Sequence, residues 1–65
     1  MDNVQTAINS ISGITEKYLI DDMVLRNNLD EIHLNKIFIE LNIPQDSREL
    51  LTTIAEVKTY LLENA

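Results

Sequence analysis

The chain has no cysteine, one glycine and one proline in 65 residues. Without Cys there is neither a disulfide framework nor a thiolate metal site, so redox compartment leaves no mark on the sequence. A lone His excludes a His-rich metal cage. Aromatics are scarce: two Tyr, one Phe and no Trp, with no basic surround for stacking on nucleotides. Positive charge is scarce as well. Five Lys and Arg stand against 11 Asp and Glu, a formal net charge of -6. A nucleic-acid binder needs a basic face to displace phosphate counterions, and this balance excludes one. No long apolar run is present, so neither a signal peptide nor a membrane span is expected, and the cytoplasm is the expected setting.

What the chain does have is apolar content, 45%, enough for a packed core and too much for disorder. At this length it forms one domain, residues 1–65, and buries only about 60% of its unfolded surface. Little material is left to enclose an active site. No nucleophile–base pair or metal set is visible, so the expectation is a monomeric, non-enzymatic binding or carrier module without cofactor.

The periodicity is helical. Val4, Ala7, Ile8 and Ile11 recur at i, i+3, i+4 and i+7, predicting a helix from about Asn3 to Ser12. Asp2 or Asn3 can open it, and Gly13 fits the left-handed residue that closes it. Ile14 to Asn27 reads as a long loop pinned to the core by its own apolar side chains, Ile20 and Val24 being the expected anchors. A helical turn is expected between Leu19 and Leu25. The second helix is predicted from about Leu29 to Leu41, with a core stripe of Leu34, Ile37, Phe38 and Leu41. Asn28 followed three residues later by Glu31 reads as its capping box. Asn42 and Pro44 stop it. Asp46 with Glu49 predicts a one-turn helix over Ser47 to Leu51. Thr53 with Glu56 predicts a final helix from about Ile54 to Glu63. The fold class is all-α, a small bundle of three main helices plus one short helix.

This order, with the residues that fill it, resembles the acyl carrier protein family. The stretch ITEKYLIDDMVLRNNLDEIHL, Ile14 to Leu34, is similar to that family's loop and second-helix start, I-T-E-x-x-x-L-x-x-D-L-x-x-D-S-L-D-x-x-E-L, without a gap. IPQDSRELLTTIAEVKTYL, Ile43 to Leu61, is similar to the carrier C-terminal half. Between Leu34 and Pro44 the chain is about one helical turn shorter than the family pattern. The family's D-S-L-D is here Asn27-Asn28-Leu29-Asp30. The Ser hydroxyl of that motif takes the phosphopantetheine arm from coenzyme A. The Asn28 carboxamide has its nitrogen lone pair delocalised and cannot replace it. Asn28 is therefore a degenerate attachment position, and no cofactor is expected.

The resemblance implies that the acidic second helix docks on basic patches of biosynthetic enzymes. Asn28, Leu29, Asp30, Glu31, Ile32 and Glu40 are the expected partner-binding residues. Asp30, Glu31 and Glu40 would act electrostatically, and Leu29 and Ile32 through apolar contact. His33 stands where the family often has Glu. As a ligand or base it has no second His to work with, and an edge position is expected. Asp21 and Asp22 lack the Gly-rich pattern of a calcium loop and read as solvated or capping residues. Two alternatives stay open: a carrier whose attachment Ser is replaced in this chain, and a peptide scaffold modified at its C-terminal Ala65.

Overall fold

The computed structural model describes residues 2–64. Three ten-residue helices dominate: α1 (Asn3–Ser12), α3 (Glu31–Glu40) and α5 (Ile54–Glu63), with single-turn helices α2 (Leu25–Asn28) and α4 (Gln45–Arg48) between them. A 3-10 turn, Glu16–Tyr18, interrupts the first loop. The fold is an all-α bundle, as the periodicity predicts. It holds one more short helix than expected, because the helical turn falls at Leu25–Asn28, after the stretch where it was anticipated. Ala65, the C-terminal attachment point considered above, lies outside the described residues. Among the described residues no helix is long and apolar enough to cross a membrane.

Local chemistry sets the ends of α1 and α5. Asp2 accepts the Gln5 amide at 2.9 Å, and the Gln5 side chain accepts the Asp2 amide at 3.1 Å, a reciprocal cap that satisfies two otherwise orphaned donors. Gly13 ends α1 at φ +79, in the left-handed region, where its amide donates to the Asn9 carbonyl at 2.9 Å. Thr53 and Glu56 form the matching box at α5. Helix α3 ends in a Schellman motif. Asn42 takes φ +58, its amide donates to Ile39, and the Ile43 amide donates to Phe38 at 3.0 Å. The expected cap of Asp46 on Glu49 is not formed. Pro44 precedes α4 with φ -63 already suited to a helical entry, so α4 starts two residues earlier than predicted.

The core is wholly apolar: among the described residues no polar side chain is buried. Val4, Ala7 and Ile8 of α1, Leu34, Ile37 and Phe38 of α3, and Ile54 and Val57 of α5 meet at its centre. The loop is pinned by Leu19, Met23, Leu25 and Leu29, and not by the two anchors predicted. Ile20 is 59% exposed and Val24 is half-buried. For Val24 the reason is backbone pairing. Val24 forms an isolated antiparallel bridge with Thr53, in which the Leu25 amide donates to Thr52 at 2.9 Å and the Ile54 amide to Met23 at 3.2 Å. Extended residues alternate in direction, so pairing at Val24 turns Met23 and Leu25 inward together.

Three long side chains tie the loops down. Arg26 donates to the carbonyls of Leu51 and Arg48 at 3.3 and 3.4 Å. Arg48 donates through Nε to the Ile43 carbonyl at 3.1 Å and lies over the Phe38 ring. Lys58 Nζ sits 3.1 Å from an Asp2 carboxylate oxygen and 2.8 Å from one of Asp21.

Candidate functional site

Asn28 does not open the second long helix. It is the last residue of α2, and its Nδ2 donates back to the Val24 carbonyl at 2.8 Å. The cap of α3 is Asp30, whose Oδ1 accepts the His33 amide at 2.8 Å. The two-residue shift follows from Leu29. At about 100° per residue a helical Leu29 would stand about 140° from Leu34, off the core stripe. Breaking the helix there leaves Leu29 extended, φ -131 and ψ 140, and turns its side chain inward until 9% remains exposed. Leu29 is thus a core residue and offers no contact to a partner, against expectation.

Ile32 is on the surface, 67% exposed, the second residue of α3, directly after exposed Asp30 and Glu31. Asp30 Oδ1 also meets His33 Nδ1 at 2.8 Å, so the imidazole sits at the helix edge as anticipated. The His33 backbone amide holds the Asp30 carboxyl below its ordinary 3.8; slight desolvation opposes this and the imidazole contact assists it. Glu40 is exposed but stands apart, at the other end of α3, about 15 Å along the axis from Asp30. It lines a different cleft of about 510 Å³, with Thr6 and Ser10 of α1 and Leu61 of α5. The six expected residues therefore divide: Asn28, Asp30, Glu31 and Ile32 share one exposed end of α3, Leu29 lies beneath them, and Glu40 belongs elsewhere.

The structure adds residues that sequence reasoning missed. Ile39 is exposed and stands seven residues, two turns, after Ile32, with exposed Asn35 and Lys36 between them. Helix α3 thus carries apolar side chains on two faces, one in the core and one in solvent. Tyr18 and Ile20 are also exposed. Together with Ile14, Asp22, Met23 and Asn28 they line a shallow groove of about 400 Å³. The isoleucine spacing on α3 was a readable signal; the exposure of Ile20 was not, because a single apolar residue in a loop has no periodicity to place it.

Chemically, the surface around position 28 offers a carboxamide, carboxylates and aliphatic groups. The serines stand on other elements: Ser10 and Ser12 on α1, the latter bonded to the Ile8 carbonyl at 2.6 Å, and Ser47 on α4. No group of three or more potential metal ligands occurs among the described residues. Comparison with protein-family models, with curated proteins and with solved structures gives no match.

Proposed function

We propose that the chain is an acyl-carrier-like interaction module that lacks the phosphopantetheine serine and engages a biosynthetic enzyme through the start of α3. The reading is non-catalytic and needs no cofactor. The observation that carries it is Ile32, a large aliphatic side chain left in solvent directly after Asp30 and Glu31 at the N-terminal end of the helix. The fold gains nothing from an isoleucine there. A partner with an apolar spot inside a basic rim would cover it and meet both carboxylates, and the net charge of -6 steers such a partner inward. The resemblance between Ile14 and Leu34 supplies the class of partner.

A phosphopantetheinyl transferase, a basic-patch enzyme of the class that acts on carriers, serves as the probe. Calorimetric titration at low salt should detect binding, and the double variant Asp30→Lys, Glu31→Lys should weaken it by at least about tenfold, the gap closing at high salt. Equal affinities for the two chains would refute the role of α3. The exposure of Asn28 favours one further reading, a carrier in which only the attachment residue has changed. Asn28→Ser incubated with the same transferase and coenzyme A then gains the mass of the arm. An unchanged intact mass counts against that reading and leaves the interaction module.

A further inference from the structure

We infer that the groove beside position 28 is a second docking pocket, which receives a large aliphatic side chain next to a lysine or arginine on a partner protein. The inference rests on the reading of the chain as a docking module and names what this part of its surface takes.

The floor is apolar and adaptable. Met23 is buried at the base with half-buried Ile14, and Tyr18 and Ile20 form exposed walls. A thioether side chain of three rotatable bonds suits a floor that must fit varied partners. Ile20 is the informative wall. It precedes the Asp21–Asp22 turn, which closes through the Met23 amide on the Ile20 carbonyl at 3.0 Å. That turn needs only the backbone of residue 20, and the loop is already pinned by Leu19 and Met23 on either side. An aliphatic side chain held out in water here does nothing for the fold and gains only when covered.

The rim is built of acceptors. Asp21 is committed to Lys58, whereas Asp22 makes no ion pair among the described residues. One Asn28 N–H is spent on the Val24 carbonyl, and its Oδ1 takes no hydrogen bond among the described residues and can accept one from a partner. Lys17 lies over the Tyr18 ring, 5.0 Å from its centroid, and does not line the groove. A carboxylate and an amide oxygen above an aliphatic floor complement a cation carried beside an apolar group. A second copy of this chain is disfavoured as the occupant, because each copy brings a net charge of -6.

The test is an amide-resolved NMR titration with synthetic amphipathic peptides. A leucine–lysine peptide should shift the amides of Tyr18, Ile20, Asp22 and Asn28. A leucine–glutamate peptide and a serine–lysine peptide should shift none of them. Ile20→Gln should lower the affinity at this site at least about fivefold, and Asp22→Asn about threefold at low salt, while Leu50→Gln, exposed elsewhere, changes nothing. Circular dichroism checks that each variant is folded. Shifts confined to Glu31 and Ile32 would sink the pocket and leave α3 as the docking face. Shifts confined to the groove would sink α3 and leave the pocket, and no shift at either place would sink both. Equal binding of either control peptide, or concentration-dependent shifts in the groove without peptide, would overturn the assigned occupant.

Discussion

Among the described residues two hold positive φ, and each stands just past the end of a helix. Gly13 does so with open space around the position its side chain would fill, since nothing lies within 4 Å of an added Cβ. The cost of Gly13→Ala is therefore backbone strain alone, about 1 kcal/mol, read as a lowered urea midpoint with an unchanged slope. Asn42 serves the same purpose at φ +58, a conformation that Asn tolerates better than most residues. Both were legible, because a lone glycine after an amphipathic run and an asparagine two residues before Pro44 have few other uses. Asn28 was not. It and Asp30 are equally good capping residues two positions apart. The choice between them is made by Leu29, whose burial is a tertiary demand that capping preferences do not encode.

At the scale of elements, α1 and α5 match their predicted limits, because reciprocal caps at Asp2–Gln5 and Thr53–Glu56 are complete within four residues of sequence. Helix α3 carries a one-sided cap, and its contribution depends on pH. The Asp30 carboxyl sits below its ordinary 3.8 in the folded chain, chiefly through the His33 backbone amide. The stability it lends is complete above that ordinary value and is lost as pH falls through the depressed one. Asparagine caps about as well as aspartate and does not titrate. Asp30→Asn should therefore cost little at pH near 7, and the small difference from the native chain should disappear toward pH near 2, measured by urea unfolding at each pH. A difference that grows on acidification would contradict the cap. Helix α4 was misplaced by two residues because Pro44 and Asp46 both mark helix starts, and the ring had already fixed the entry.

For the molecule as a whole, little separates folded from unfolded. A domain of this length holds a stability on the order of 3–5 kcal/mol. Phe38 is fully buried at the centre of the core, and truncation of a core Phe costs about 3–5 kcal/mol. Phe38→Ala should leave no cooperative thermal transition by circular dichroism; a sharp one close to the native midpoint would show a core that repacks. The bundle was readable at this scale because the apolar stripes of α1, α3 and α5 converge on one core. The outward Ile20 was harder to place, since an apolar letter reads as interior until the packing shows where the interior ends. Lys58 carries a consequence of a different kind. Hydrogen bonds to Asp21 and Asp2, outweighing partial desolvation, keep its amine protonated above the usual 10.5. Amine-directed dyes and crosslinkers attack the uncharged form, so this amine reacts slowly. A reagent that does reach Lys58 erases the cation and leaves two carboxylates face to face, unfastening the chain's beginning from its last helix.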